Sequence, residues 1–305
     1  MLLRRLQVGV IVPPIKCQGI KTKLVPLIKE CLKTPIKGTW IEPFCGSCVV
    51  ALNVQPEQAL LTDTNEHIIS LYRGIQDQTI KPGIVKIFLE EEGKKLSTDQ
   101  EYYYRVRERF NKSKDPLDFL FLNRSCFNGV MRFNKNGKFN VPFCHKPERF
   151  SQAYITKIVN QVRAFSEVVS RSEWIFEIAD FRTTLVRSKP DDFVYADPPY
   201  AGRHVDYFNT WSANDESALI NHLKETPSKF LLSTWHSNKY RSNPLLEANW
   251  QGSGFFTKTF EHFYHVGSTE DLRNPMTEAL ITNYALLEED KSIEYNQLSF
   301  IGGRN

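Results

Sequence analysis

At 305 residues, 41% hydrophobic and 24% charged, the chain has the make-up of an ordinary globular protein, long enough for one large domain or a domain with an insertion. No stretch approaches eighteen uninterrupted apolar residues, and the opening Met1-Leu2-Leu3-Arg4-Arg5 lacks the apolar core and cleavage site of a secretion signal, which argues against membrane spanning and export. Six scattered cysteines suit a reducing cytosol; Cys45 and Cys48 form a C-x-x-C, but no second ligand pair completes a zinc site, and no metal is expected.

In chain order, an amphipathic helix is predicted over 22–32. A short strand at Thr39-Trp40-Ile41 runs into Glu42-Pro43-Phe44-Cys45-Gly46-Ser47, and a helix follows from Val49. A second strand, Ala59-Leu60-Leu61-Thr62, ends at Asp63 and leads into a helix through Ile68, Ile69 and Tyr72. That order is a parallel βαβ unit. After about Gly93 the rhythm is lost. Polar helical stretches at 99–110 and 116–123 precede a segment, Phe127 to Phe143, in which Asn136-Gly137 lies between alternating residues as in a tight hairpin. From Ala153 the pattern resumes with a helix to about Val169 and strands at 174–178, 193–196, 229–233 and 277–284. One α/β sheet built from 1–93 and 151–305, interrupted by an insertion at 94–150, fits best.

Asp197-Pro198-Pro199-Tyr200 follows the apolar run Phe193-Val194-Tyr195-Ala196, at the carboxyl end of a buried strand, where open α/β sheets bind ligands. An exocyclic amine on a base is a poor nucleophile because its lone pair is delocalised into the ring. The Asp197 carboxylate and the Pro198 carbonyl can each accept one amine hydrogen and draw that pair out, while the prolines stiffen the segment and Tyr200 stacks on the base. A base in a duplex must first be flipped out, at roughly a few kcal/mol. The plainer alternative is a strand end closed by a Pro-Pro turn with a core tyrosine.

The first βα turn offers one glycine, Gly46, for close backbone approach, and Asp63 stands 17 residues on, where a carboxylate commonly accepts from ribose hydroxyls. With no G-x-G-x-x-G, a nucleoside without phosphates, such as S-adenosylmethionine, fits better than a dinucleotide. Asp180 after the third strand is either an adenine partner or a helix cap, and Asp63 has the same alternative.

Charge is uneven. Residues 94–149 hold thirteen Lys and Arg against six acids, an excess of seven, interleaved with aromatics from Tyr102 to Phe143. Basic groups among planar rings are what phosphate neutralisation and base stacking require, although a solvated basic face would look similar.

The order of five blocks resembles the Dam-like α class of adenine-N6 DNA methyltransferases: Gly19-Ile20-Lys21-Thr22-Lys23-Leu24, the Glu42–Ser47 turn, Asn123-Arg124-Ser125-Cys126-Phe127-Asn128-Gly129 through Asn140-Val141-Pro142-Phe143, Ala179-Asp180-Phe181, and Asp197 to Tyr200. Within that class Val12-Pro13-Pro14-Ile15-Lys16 and Gly202-Arg203-His204-Val205-Asp206-Tyr207-Phe208 are most similar to the EcoRV-type modification methylases. The resemblance covers about residues 15–283. It implies a Rossmann-like methyltransferase sheet with helices on both faces and an inserted helical and hairpin DNA-recognition domain. It also implies a cytoplasmic, prokaryotic, monomeric enzyme of a type II restriction-modification system with a cognate endonuclease, acting on GATATC or another site beginning GAT.

Residue by residue, the resemblance implies that Lys21, Phe44, Gly46, Asp63 and Asp180 bind S-adenosylmethionine and that Asp197, Pro198 and Tyr200 are catalytic. The family usually carries Gly-Gly-Lys near its N-terminus; here Ile20 replaces the second glycine. Lys16 and Arg132 match base-reading positions, with a phosphate contact as the alternative for each. Phe127 and Asn128 match a pair acting at the site that the flipped base vacates, and Arg124 is either structural or phosphate-facing. Residues 201–211 are expected to close over the base, with His204 in a phosphate or structural contact; residues 261–274 are expected to add backbone contacts. The rivals are methylation of cytosine N4 or of adenine in RNA, and a silent DNA-binding protein that keeps only the fold.

Overall fold

The computed structural model describes residues 9–32, 35–200, 211–238, 242–250, 254–263 and 275–286. The expected loop over the base, with Arg203, His204, Asp206 and Tyr207, and the contacts expected from 264–274 lie outside the described residues.

Seven strands form one sheet in the order β3-β2-β1-β4-β5-β7-β6. They are β1 (Trp40–Glu42), β2 (Gln58–Asp63), β3 (Glu173–Ile178), β4 (Phe193–Ala196), β5 (Lys229–Asn238), β6 (Phe256–Phe263) and β7 (Pro275–Thr282). β1 to β5 pair in parallel, and β7 runs against both β5 and β6. All four residues of β4 and all three of β1 are buried, as befits strands covered on both faces.

The two-residue period of the strands sorts their side chains into two cores. Trp40, Ala59, Leu61, Trp174, Phe176, Phe193 and Tyr195 face helices α1 (Val25–Cys31), α2 (Val49–Val54), α3 (Glu66–Gln76) and α7 (Gln152–Val169). Ile41, Leu60, Val194, Ala196, Phe230 and Leu232 face α8 (Phe181–Leu185), α9 (Ala213–Glu225) and α10 (Pro244–Trp250). The result is the expected α/β sandwich with helices on both faces. Helix α7 repeats apolar residues at Ile155, Ile158, Val159, Val162, Phe165 and Val169, one stripe at helical spacing, and a Ser212–Asp215 capping box starts α9.

The segment expected as an insertion is woven into the first core. Helix α4 (Pro82–Thr98) runs unbroken through Gly93, so no break falls at 93/94. Phe150 packs so closely there that a β-carbon on Gly93 would lie 2.5 Å from the Phe150 Cβ. Helix α5 (Tyr102–Ser113) begins later than its sequence pattern indicated, and α6 (Pro116–Ser125) starts on an Asp115 cap that accepts from Leu117 N–H at 2.8 Å. The hairpin beyond α6 is there, but its turn is not a two-residue Asn-Gly loop. Asn134 accepts from Asn136 and Lys138 N–H, its own N–H reaches the Lys138 carbonyl at 2.9 Å, and Gly137 takes the left-handed position at φ +67. That is a three-residue loop with glycine where a side chain would strain. The loop end of the hairpin docks on α3, where the His67 ring stacks on Phe133, next to the turn, at 4.9 Å and meets Phe110 of α5 edge-on at 4.9 Å.

Candidate active site

Between β1 and β4 the strand order reverses direction, opening the crevice at the carboxyl ends where ligands of such sheets sit. The turn after β1, the end of β2, the start of α8 after β3, and the tetrapeptide after β4 converge on this edge. Sequence positions as far apart as Gly46 and Asp197 thereby share one side of the molecule.

The turn after β1 is tight. Pro43 ends the strand, Cys45 N–H bonds the Thr62 carbonyl at 2.9 Å, and both Gly46 and Cys48 take positive φ, +43 and +60. The Asp63 carboxylate accepts from Gly46 N–H at 2.9 Å and from Asn65 N–H at 2.8 Å. Asn65, not Asp63, caps α3, accepting from His67 N–H at 3.1 Å. Burial raises the Asp63 carboxyl above the ordinary range, and the backbone donors of Asn65, Gly46 and Thr64 oppose that. The remaining lone pairs of a carboxylate held this way suit a diol. Asp180 does cap its helix, accepting from Arg182 N–H at 2.9 Å, and Arg182 also pairs with Asp180 at 3.1 Å and with Asp215.

Above the turn, Phe44, Phe181 and Trp211 form an aromatic triangle with centroids 5.4 to 5.5 Å apart. Neither Phe181 nor Trp211 was singled out by the sequence: Phe181 entered only in the Ala179-Asp180-Phe181 block and Trp211 only as the end of the 201–211 segment expected over the base.

Lys21, expected at the cofactor, turns toward the tetrapeptide Asp197 to Tyr200. Its ammonium lies 2.8 Å from Asp197 Oδ1, 3.0 Å from the Gly19 carbonyl and 5.1 Å from the centre of the Tyr200 ring. The lysine side chain is 5% exposed and the aspartate 21%, so the carboxylate keeps an open side. Burial raises the Asp197 carboxyl, Lys21 opposes the rise, and Glu278 adds to it. Tyr200 is buried against Trp235 of β5. Behind them Glu42, 2% exposed at the end of β1, accepts from Trp40 Nε1–H at 2.9 Å, and burial pushes its carboxyl up to about 8. Glu42 was visible in the sequence only as part of a motif; its burial could not be read there.

On the face of the hairpin and α6, Phe127 is 55% exposed and Asn128 sits beside it at φ +53. The Phe127 ring is thus open to solvent at the turn that follows α6. Arg132 is half-buried and held by Asn140, Nε–H to Oδ1 at 2.9 Å. Lys16 is half-buried, its ammonium lowered to about 8 by burial and by the nearby Arg149 and Arg124. Arg124, expected facing DNA or serving structure, is 3% exposed; it donates to the Pro14 carbonyl at 3.0 Å and stacks on Tyr154. It belongs to the framework, because burial leaves its guanidinium no surface to offer a phosphate.

A mostly parallel sheet whose strand order reverses at β1/β4, with Asp197-Pro198-Pro199-Tyr200 after β4, is the architecture of a Rossmann-like methyltransferase. Residues 18–272 match the D12 class N6 adenine-specific DNA methyltransferases, and the chain belongs to that family. It is 31% identical over 236 residues to the DNA adenine methylase of Vibrio cholerae, covering 73% of this chain and 80% of that one. It is 33% identical over 193 residues to that of Escherichia coli K12, covering 61% and 64%. With the type II methyltransferase M.FokI of Planomicrobium okeanokoites it shares 30% over 283 residues, 89% of this chain and 42% of that one. An rRNA methyltransferase structure from Streptomyces viridochromogenes, aviRa, overlays with TM-score 0.36 at 12% identity over 90% of each chain. The protein is thus an adenine-specific DNA methyltransferase, and its family implies S-adenosylmethionine as methyl donor. Among the described residues no helix is long and apolar enough to cross a membrane.

Proposed function

We propose that this chain methylates adenine N6 at a specific duplex site by flipping the base into the crevice beside Asp197, as the modification enzyme of a type II restriction-modification system. The observation that carries the reading is the Lys21–Asp197 pair at the sheet's switch point, with the carboxylate partly open and Tyr200 beside it. The residues after β1 and β2 fit the donor: Gly46 leaves backbone bare, Asp63 is fixed as an acceptor, and Phe44 with Phe181 supplies ring surface for an adenine. When bound, S-adenosylmethionine supplies an electrophilic methyl on sulfur.

The chain's own work is on the base. Asp197 and the Pro198 carbonyl accept the two N6 hydrogens, localise the nitrogen lone pair, and Asp197 takes up the displaced proton. Lys21 opposes the rise that burial imposes on the Asp197 carboxyl and so favours its ionised form. Phe127 and Asn128 fill the gap in the stack, and Lys16 and Arg132 read flanking base edges. Similarity to M.FokI along most of this chain supports modification of a restriction site, and the Val12–Lys16 segment supports an EcoRV-type target, GATATC.

The test is labelled-methyl transfer to duplex DNA, identification of the methylated nucleoside by mass, and methylation-sensitive sequencing of DNA from a host expressing the protein. N6-methyladenine at one short motif is expected. N4-methylcytosine, RNA as the better acceptor, or no transfer would each overturn the reading.

A further inference from the structure

Residues 11–16 form a strap that crosses from the cofactor half of the sheet to the recognition face, and two side-chain amides clamp its ends. Asn53 of α2 accepts from Ile11 N–H at 2.8 Å and donates to the Ile11 carbonyl at 2.9 Å. Asn123 of α6 accepts from Lys16 N–H at 2.8 Å and donates to the Lys16 carbonyl at 2.8 Å. Each amide satisfies both main-chain groups of one residue, as a neighbouring strand would. Between the clamps stand Pro13 and Pro14, with fixed φ and no N–H, and the Pro14 carbonyl accepts from Arg124. The Lys16 stem lies on Gly129, where a β-carbon would fall 2.5 Å from Lys16 Cβ and 2.7 Å from Cδ, with φ +68.

Asn123 is 0% exposed and sits one turn before the exposed Phe127 and Asn128. Its two bonds therefore make the Lys16 backbone and that turn one rigid piece. We infer that Asn123 is a positioning residue for DNA recognition: acting through the main chain of Lys16, it sets where the Lys16 ammonium stands relative to the Phe127-Asn128 turn, and hence which base edge that ammonium meets. The inference rests on the reading of Lys16 as a base contact. Removing the amide leaves both part-buried main-chain groups of Lys16 without these partners, and the strap must shift to find others. A site that is held to within about half an ångström loses discrimination when its support moves.

The test uses the full chain, S-adenosylmethionine and a library of duplexes with a central adenine and randomised flanks, methylation being read by sequencing. Wild type is compared with Lys16→Ala, Asn123→Ala, Asn123→Asp, Asn53→Ala and the double variant Lys16→Ala/Asn123→Ala. Thermal midpoints and affinity for S-adenosylhomocysteine are measured alongside. Lys16→Ala is expected to flatten the preference at one flanking position by roughly tenfold or more. Asn123→Ala should flatten that same position while cofactor affinity is unchanged, and the double variant should be no flatter than Lys16→Ala. Asn53→Ala, losing an equivalent clamp, should lower the midpoint and keep the wild-type preference. Asn123→Asp keeps the volume and the acceptor, loses the donor, and should follow Asn123→Ala if the latter fails to fold. A changed preference in Lys16→Ala with none in either Asn123 variant overturns the positioning role alone, and equal flattening by Asn53→Ala overturns its assignment to Asn123. No change in Lys16→Ala overturns the reading of Lys16 and this inference with it.

Discussion

The Lys21 ammonium stands 2.8 Å from Asp197 Oδ1, tying the segment before the first helix to the end of β4. Two opposing forces meet there: burial pushes the Asp197 carboxyl up, and the lysine holds it down. In the proposed reaction only the ionised form of Asp197 can both accept its one amine hydrogen and later take up the displaced proton. Replacing Lys21 with Ala removes the restraint, so Asp197 should stay protonated to higher pH. The acidic limb of kcat/KM against pH should move upward in Lys21→Ala; an unmoved limb would separate Lys21 from the acid–base chemistry.

Asp197→Ala should lose about a hundredfold or more of methyl transfer, the scale of a positioned acid–base group. Affinity for S-adenosylhomocysteine, measured by calorimetry, should remain close to wild type, because Asp63, the acceptor proposed for the donor's ribose, lies at the end of a different strand. Near-normal turnover in this variant would remove Asp197 from the mechanism.

Asp63→Ala is expected to act in the opposite way. It removes a charged acceptor that also fixes Gly46 N–H at 2.9 Å. Hydrogen bonds to charged groups contribute about 1.5–3 kcal/mol, so S-adenosylhomocysteine should bind roughly tenfold to a hundredfold more weakly. DNA affinity without cofactor should be unaltered.

Lys16 gives a pH signature. Its folded-state value of about 8 lies below the ordinary 10.5, so between those limits the unfolded chain holds more protons and stability rises with pH. The same loss of charge weakens attraction to DNA. From pH 7 to 9, DNA affinity by fluorescence anisotropy should fall while this contribution to stability grows. Lys16→Arg, always charged, should flatten that part of the affinity profile.

Phe127 is 55% exposed, so Phe127→Ala should change stability by no more than about 0.5 kcal/mol, as for an ordinary surface site. The cost should appear with DNA: less fluorescence gain from 2-aminopurine at the target position, and slower single-turnover methylation.

The fold was largely legible because β1, β2 and β4 are short apolar runs ending in residues with evident chemistry: the Pro43 to Gly46 turn, Asp63 and Asp197. The parallel order followed from their alternation with helices. What local pattern could not show was tertiary. β6 (Phe256–Phe263) mixes Thr, Lys, Glu and His with its rings and finds its place only by pairing with β7. Helix α4 runs through Gly93 because Phe150, distant in sequence, packs on that glycine. In the site, residue types announced Asp63 and Asp197, but the partner of Lys21 and the burial of Arg124 depend on segments that meet only in the folded chain.

The stack of His67 on Phe133 carries a lesson for redesign. Burial lowers the imidazole to about 4, so at neutral pH it is an uncharged flat plate wedged under the hairpin. The hairpin is thus not an interchangeable cartridge. A loop transplanted from a relative with another target would arrive without its socket, and an exchange of specificity has to carry the first turn of α3 along with the hairpin.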